Sequence, residues 1–413
     1  MPKAKRAPEA STPGQMDSVF LACLAVLLAL ATGWLIYGES SPDYVGYQRS
    51  FREAVRQRSG DAAAVAVQTG IQQVWIPQAG DANRCVTCHQ ATTWRGFETA
   101  AEPRRTHPAE ILRSHPVEQF GCTPCHGGQG WAGDRARAHG HVPHWNEPLL
   151  DTPLAEALIP GASRGTLMEW RCNACHRYER ETAGAPTINR AKRVVDEKGC
   201  RACHRINGRG GLIGPDLEAV GDKNPEQYDF GHLAGRPSAF RWQAAHFQDP
   251  RALVADTVMP NFHFTTDEIR ALTLLAMSWR RPALVAAFSR NLPRNDPQPG
   301  EERRLVEEMG KGPGGWFVRT GCYTCHPVAV FGVKSPTPIG PDLSTAAEDT
   351  ERRFSRPIDV FVRNPVGTMR AVFARQFMLT PSQKDEAVRQ LRAAFAQYEA
   401  LRAAGRNPLE PAK

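Results

Sequence analysis

The pattern of hydrophobic positions separates one uninterrupted apolar segment near the N-terminus from a long remainder of short amphipathic stretches. Residues 18–37 read SVFLACLAVLLALATGWLIY and carry no charge. A helix of about 20 residues rises roughly 30 Å, which matches the hydrocarbon thickness of a bilayer. We therefore predict a transmembrane helix over 18–37, preceded by a short cytoplasmic segment of residues 1–17.

The charges before this helix predict its orientation. Lys3, Lys5 and Arg6 precede the apolar segment, and because positive flanks stay in the cytoplasm, we expect a single-pass anchor with the rest of the chain in the periplasm. The alternative is a cleaved signal peptide, since residues 29–31 read Ala-Leu-Ala, a pattern that signal peptidase accepts. The apolar segment continues to an aromatic edge at 34–37, which favours an uncleaved anchor.

Beyond the anchor, hydrophobic residues recur at helical spacing. Tyr47, Phe51 and Val55 mark one face of a helical segment that extends from about residue 44 to residue 74. We assign residues 38–80 to this segment. It serves either as a stalk from the membrane or as an amphipathic helix that caps the following domain.

Two later helices are predicted by their start signals. Thr265 and Glu268 have the spacing of a capping box, in which the threonine accepts a hydrogen bond from the N3 amide and the glutamate bonds back. Residues 379–381, Leu-Thr-Pro, open a last helix whose apolar face carries Val388 and Leu391. Because 35 Gly and 33 Pro imply many turns between such helices, the pattern predicts a mainly α protein.

The cysteines add chemistry to this picture. Ten of the 11 cysteines form five copies of Cys-x-x-Cys-His, and the remaining one, Cys23, lies inside the apolar segment, where we expect it only to pack. Zinc sites and disulfides do not require a histidine directly after the second cysteine of every pair. The copies are Cys85-Val-Thr-Cys88-His89, Cys122-Thr-Pro-Cys125-His126, Cys172-Asn-Ala-Cys175-His176, Cys200-Arg-Ala-Cys203-His204 and Cys322-Tyr-Thr-Cys325-His326.

This motif is typical of covalent haem attachment. Two thiols two residues apart each bond one vinyl-derived carbon of the same haem, and the adjacent histidine binds the iron as proximal ligand. We therefore predict five c-type haems. Such haems are attached on the outer side of the bacterial cytoplasmic membrane, which agrees with the predicted orientation. The predicted proximal ligands are His89, His126, His176, His204 and His326.

Three motifs crowd into residues 81–190, where little room is left for conventional secondary structure. We predict a loop-rich trihaem module there. The segment holds five further histidines, and its nearby methionine is limited to Met168, which favours bis-histidine ligation. We expect His141 to be a solvated loop residue, and the pairing of histidines with irons stays open. The candidate distal ligands are His107, His115, His139 and, in reserve, His144.

Residues 191–283 resemble a class I cytochrome c domain. The resemblance implies that His204 and Met259 are the axial ligands of one haem, and that the Gly-Pro-Asp-Leu loop packs against the haem edge. The alternative is that Met259 is an ordinary core residue. The matching features are Gly199, Gly214-Pro215-Asp216-Leu217, Asp249-Pro250, Met259-Pro260 and the capping-box helix.

The same pattern recurs after a linker at 284–306. Residues 307–401 resemble a second class I domain, followed by a tail at 402–413. The Met-Pro pair of the first domain is replaced by Met369-Arg370, so we predict Met369 as distal ligand, whereas Met378, just before the last helix, is the alternative. The corresponding features are Gly321, Gly340-Pro341-Asp342-Leu343 and Asn364-Pro365.

The net charge does not point to nucleic acid. The formal charge is +8 and the isoelectric point is near 9.0, but lysine and arginine are spread along the whole chain. Five haems would add about ten negative propionate charges, partly offset by about one positive charge per oxidised iron centre. We therefore expect a holoprotein much closer to neutrality and no nucleic-acid partner.

The outer region is also similar to the membrane-anchored multihaem cytochromes that accompany Rieske and cytochrome b subunits in bacterial bc-type complexes. The likeness is carried by residues 115–130, by Ala138-His139-Gly140 and by Trp145. It implies a membrane quinol oxidoreductase as electron donor, and we expect a periplasmic cytochrome or oxidase as acceptor. Bis-histidine haems generally have lower potentials than histidine–methionine haems, so electrons would flow from the trihaem module to the class I domains.

An enzyme is the alternative to this electron-transfer protein. A multihaem enzyme could act on a small inorganic substrate at a haem with an open axial position. The open iron would be the fifth, if Met369 does not bind it, or one iron of the trihaem module. Because five histidines are available to three irons and each class I domain has a methionine, no iron needs to be open.

Overall fold

The computed structural model describes residues 13–40, 42–77, 79–211, 213–233, 235, 237–281, 304, 306–336 and 339–409. The positive charges at residues 3, 5 and 6 and the predicted linker up to residue 303 therefore lie outside the described residues. The chain divides into two compact units, Met1–Leu149 (unit 1) and Leu150–Lys413 (unit 2). Each unit is described by itself.

Unit 1 contains two long helices, several single-turn helices and one short hairpin. Strands β1 (Val74–Ile76) and β2 (Asp81–Asn83) pair antiparallel, with Trp75 opposite Ala82. Two 3-10 turns, Cys85–Thr87 and Gln90–Thr93, follow the hairpin. The elements are α1 (Pro13–Ser40), α2 (Asp43–Val65), β1 (Val74–Ile76), β2 (Asp81–Asn83), α3 (Ala109–Ser114), α4 (Val117–Phe120), α5 (Thr123–His126) and α6 (Arg135–Ala138).

Helix α1 contains the predicted transmembrane segment. Among the described residues it belongs to the one helical stretch that is long and apolar enough to cross a membrane. Its large apolar side chains are exposed, for example Leu28 at 69% and Trp34 at 75%. This exposure fits a lipid-facing anchor, and a signal sequence near the N-terminus has the same signature.

Helix α2 packs into unit 1 through the face predicted from its spacing. Phe51 and Val55 are buried, and the Phe51 ring contacts Trp94 edge-on at 5.5 Å and Phe97 at 5.3 Å. The helix bends at Gly60, whose φ of 83° few other residues adopt, and it ends at Val65. It is therefore shorter than the predicted segment, because the chain turns at Gly70 and continues into β1.

Unit 2 is mostly helical, with one two-stranded ribbon at Arg205–Ile206 (β3) and Arg209–Gly210 (β4). Short 3-10 turns lie at Cys200–Ala202, Val220–Asp222, Pro225–Gln227, Cys322–Thr324, Ala329–Phe331 and Leu343–Thr345. The helices are α7 (Thr152–Leu158), α8 (Arg164–His176), α9 (Pro186–Glu197), α10 (Ala239–Gln248), α11 (Pro250–Leu253), α12 (Thr266–Ser278), α13 (Gly315–Arg319), α14 (Ala346–Phe354), α15 (Ile358–Arg363), α16 (Thr368–Arg375) and α17 (Pro381–Ala403).

The first core of unit 2 forms around α12, which packs against α8, α9 and α10. The predicted capping box is present at its start, where both Thr265–Glu268 hydrogen bonds are formed. Helix α8, which carries the third Cys-x-x-Cys-His motif, is joined to α12 by a buried bond of 2.6 Å from Asn173 Nδ2 to Ser278 Oγ. The boundary between units lies at residue 150, inside the range 81–190 that we predicted as one trihaem module, so the third motif belongs to unit 2.

The second core of unit 2 lies between α13, α15 and α17. Helix α17 begins as predicted, because Thr380 and Gln383 form a capping box ahead of Pro381. Val388 and Leu391 are buried, and with Ala394 they form the apolar face of this helix. The C-terminal helix therefore closes the second domain.

Two valines of this domain test how much the second core contributes to stability. Val328 is fully buried, whereas Val360 is 45% exposed. We expect Val328→Ala to lower the free energy of unfolding by about 2 kcal/mol, because two buried methyl groups are lost. Val360→Ala should stay within about 0.5 kcal/mol of the parent. Chemical denaturation followed by circular dichroism measures both, and equal effects would contradict this description of the core.

Candidate haem-binding sites

Each Cys-x-x-Cys-His motif forms a single turn that gathers its three functional side chains. In four motifs the histidine amide donates to the carbonyl of the first cysteine, at 2.9 to 3.1 Å. The third motif makes up the last turn of α8. One turn is the spacing at which two sulfurs and an imidazole can reach the same ligand. Among the described residues no three His, Cys, Asp or Glu side chains gather around a single-metal site.

A glycine and a proline orient the motif histidine in each of the two predicted class I domains. His204 Nδ1 donates to the carbonyl of Pro215 at 2.8 Å, and His326 Nδ1 donates to that of Pro341 at 2.7 Å. A Cβ added at Gly214 or Gly340 would collide with the imidazole ring itself. The Gly-Pro-Asp-Leu loop therefore lies directly against the histidine. Because Nδ1 carries the proton, Nε2 keeps the lone pair that a metal needs.

Burial sets the protonation of these groups. It lowers the pKa of His204 and of His326, so both imidazoles are neutral and able to bind a metal at physiological pH. Burial also raises the pKa of the Cys200 thiol to about 12. For Cys325 the pKa rises to about 12, first through burial and then through the neighbouring Cys203 and Cys322 thiols. The attachment cysteines of the two domains are thus electrostatic neighbours.

One continuous cavity of about 1490 Å³ connects these two motifs. It is lined largely by apolar side chains and contains both cysteine pairs, both proximal histidines, Met259 and Met369. A pocket for one small ligand usually measures about 300–1,000 Å³. The size, the apolar lining and the ligand set fit two large flat cofactors. A c-type haem at each motif would be held by two thioether bonds and the histidine.

Met259 lies beside a histidine that the sequence analysis did not single out. His246, on α10, places Nε2 at 3.2 Å from Met259 Sδ, and its ring stacks on Trp242 at 5.0 Å. Its buried Nδ1 has no hydrogen-bond partner within the described residues. Burial, with a contribution from His204, lowers the pKa of His246 to about 4. The only sequence signal for His246 was its spacing from Trp242, because residues four positions apart lie on the same face of a helix.

The two methionines considered for the last motif differ in position. Met369, near the start of α16, is partly buried and lines the cavity. Met378 is 80% exposed and does not line the cavity. The chain neighbours of Met378, Phe377 and Leu379, both line the cavity, so the backbone passes close to the site while the Met378 side chain is exposed.

The histidine of the third motif, His176, has polar partners at its ring and at its carbonyl. His176 Nδ1 lies 2.8 Å from Glu179 Oε1, and the Lys192 ammonium donates to the His176 carbonyl at 2.9 Å. These bonds fix the end of α8 and the ring. The remaining histidines of unit 2 are His232, His246 and His263.

In unit 1 the structure brings two predicted distal histidines to motif histidines. The ring centre of His139 lies 6.3 Å from that of His89, and the ring centre of His107 lies 6.1 Å from that of His126. His115 instead packs against Phe120, with ring centres 5.2 Å apart. The two remaining histidines of this segment, His141 and His144, are exposed.

Comparison with known proteins identifies one domain. The cytochrome c family model matches residues 188–274, which overlap the predicted first class I domain and contain the Cys200–His204 motif and Met259. The chain thus contains a cytochrome c domain and is an electron-transfer haem protein with covalently bound c-type haem. No curated protein and no solved structure matches the chain.

The glycine of the second Gly-Pro-Asp-Leu loop provides a test of this site. We expect Gly340→Ala to displace the His326 ring, so that one haem per chain loses its proximal bond. Gly312→Ala is the control, because an added Cβ there meets no atom within 4 Å. Haem content per chain and the high-spin EPR signal report the difference. Unchanged low-spin haem in Gly340→Ala would show that the loop does not hold the histidine.

Proposed function

We propose that the chain is a membrane-anchored pentahaem cytochrome that carries electrons from a membrane quinol oxidoreductase of the Rieske/cytochrome b type to a periplasmic cytochrome or oxidase. The observation that carries this proposal is the shared cavity of unit 2, which brings two haem-attachment motifs of neighbouring domains into one apolar space. A carrier needs closely spaced redox centres shielded from water. An enzyme needs an open iron and a substrate channel.

The contact between the two class I domains supports electron transfer between their haems. The Arg375 guanidinium, on α16 of the second domain, donates to the carbonyl of Ile213 in the first domain at 3.3 Å. Gln376 lies against Gly211 of the same loop. The c-type haems supply one-electron redox chemistry. The attachment cysteines of both domains line the one apolar cavity.

The ligand sets support a direction of flow. Both class I domains offer a thioether beside the cavity, whereas unit 1 offers histidines beside its motif histidines. Axial ligand identity moves haem potentials over roughly 0.8 V, and methionine gives the higher values. Electrons would therefore enter at the histidine-ligated haems and leave from the class I domains.

The anchor and the resemblance to bc-associated cytochromes support the choice of donor. The glycines of the signature that carries this resemblance have a structural role in unit 1. Gly127 and Gly128 have φ of 75° and 84°, and an added Cβ would meet the carbonyls of Pro148 and Ala138. Trp145 closes the same loop by donating from Nε1 to the Glu147 carbonyl at 2.8 Å. Gly127, Gly128 and Trp145 of the signature thus stabilise the loop that follows the second motif.

A redox titration of the holoprotein followed by low-temperature EPR tests the function. We expect five haems per chain, all low-spin, with three bis-histidine centres at low potential and two histidine–methionine centres at higher potential. A substantial high-spin signal that binds small ligands would instead favour an enzyme acting on a small inorganic substrate.

The methionines of the second class I domain offer a matched pair of variants. Met369→Ala should remove the thioether from one iron, abolish its near-infrared methionine-to-iron band and lower its potential or leave it high-spin. Met378→Ala should leave the spectrum and every potential unchanged, because Met378 points away from the cavity. The reverse result would assign Met378 as the ligand. In the first domain, loss of the band in Met259→Ala but not in His246→Phe would identify Met259 in the same way.

A further inference from the structure

We propose that the two haem irons of unit 1 are ligated crosswise, the first by His89 and His139 and the second by His126 and His107. This inference rests on the proposed function and deepens it, because it assigns a specific axial pair to each iron. His139, the distal ligand of the first iron, follows the second motif in the sequence. His107, the distal ligand of the second iron, lies between the two motifs.

The distances between the rings fit an iron between them. A metal–imidazole bond is about 2 Å long and the bound nitrogen lies about 1.2 Å from its ring centre, so two axial imidazoles have ring centres about 6.4 Å apart. The observed separations are 6.3 Å for His89 and His139 and 6.1 Å for His107 and His126. Two independent pairs therefore match the span of an axial ligand pair.

The other ring nitrogen of His107 is oriented in the way that metal-binding histidines require. His107 Nδ1 lies 3.2 Å from the carbonyl of Pro108, which leaves Nε2 for the iron. Glu102 Oε2 lies 3.7 Å from His89 Nδ1, beyond direct hydrogen-bond distance. His139 is partly buried.

Backbone hydrogen bonds fix both distal histidines to the rest of unit 1. The His107 amide donates to the carbonyl of Thr92 at 3.1 Å, and the Thr92 amide donates to the carbonyl of His89 at 3.2 Å. His139 caps α6 and accepts a bond of 2.9 Å from the Leu149 amide. The segment that carries His107, the proposed ligand of the second iron, is therefore hydrogen bonded to the residues that follow the first motif.

The two attachment sites also meet. The Cys85 and Cys122 thiols lie close enough to influence each other, and this interaction, with burial, raises the pKa of Cys122. Both motifs thus open onto the same interior of unit 1. The apolar core of this unit is small, with Phe51, Val55 and Phe97 among its members. Two interlocked haems would supply the missing interior.

The other histidines of this segment, His141, His144 and His115, lie in different surroundings. The ring centre of His141 is 6.0 Å from that of His139, but the two are neighbours in one turn and His141 is exposed. His144 is exposed in a left-handed conformation with φ of 67°. His115 packs on Phe120 within its own turn. His141 therefore serves as a control close in sequence to His139.

The test uses the full-length holoprotein and counts high-spin haems by EPR and by carbon monoxide binding. We expect His139→Ala and His107→Ala each to convert one low-spin haem to high-spin, the double variant to convert two, and His141→Ala to convert none. Added imidazole should return each variant to low-spin. A high-spin signal in His141→Ala or His115→Ala, with none in His139→Ala, would overturn the pairing.

A second set of variants identifies the iron. When His139→Ala is combined with Cys85→Ala and Cys88→Ala, which remove the first haem, the high-spin signal should vanish. Combined with Cys122→Ala and Cys125→Ala it should persist, and His107→Ala should show the reverse dependence. The opposite pattern would contradict the crosswise assignment. If an alanine variant fails to accumulate, His139→Met keeps six ligands and should raise the potential of one haem only.

These outcomes separate the inference from the proposed function. A wild-type protein with five low-spin haems but different distal histidines would overturn the pairing and leave the electron carrier standing. A wild-type protein with an open, ligand-binding iron would overturn the electron carrier itself.

Discussion

The structure depends on one constraint, the single turn in which a histidine follows its cysteine pair. The bond from the histidine amide to the first cysteine carbonyl brings two thiols and an imidazole to one side of the backbone. A partner beside the turn can then orient the imidazole, because a hydrogen bond at Nδ1 fixes the ring and leaves Nε2 for a metal. In the class I domains that partner is the carbonyl of Pro215 or Pro341. At the third motif it is Glu179.

The two units meet this constraint in different ways. In unit 2 a helical core exists beside each site, with α12 packed on α9 and α10 and with α17 closing the second domain. The apolar cavity lies beside these cores, so side-chain packing already stabilises the fold around it. In unit 1 the side-chain core is small, and the helices other than α1 and α2 are very short. The haems that we propose there would therefore contribute more to the interior of unit 1 than the proposed haems of unit 2 contribute to theirs.

The shared cavity gives the two class I domains a joint role. Their attachment cysteines are electrostatic neighbours, and the Arg375–Ile213 bond joins the walls of the cavity. His246 places a ring nitrogen next to Met259 in that space. The surroundings of the Cys200–His204 motif therefore depend on α10 as well as on the Met-Pro segment.

The sequence by itself determined the features that are local. The five motifs, the capping box at Thr265, the start of the last helix at Leu379-Thr380-Pro381 and the apolar segment of α1 are short-range patterns, and each appears where its spacing placed it. Tertiary structure decided which distant residues meet, because chain reversals bring them together and leave no periodic signal. It placed Met369 in the cavity and Met378 outside it, packed α8 with the third motif against α12, and put His246 beside Met259. It also set His139 near His89, 50 positions earlier in the sequence, a contact that no local pattern could predict.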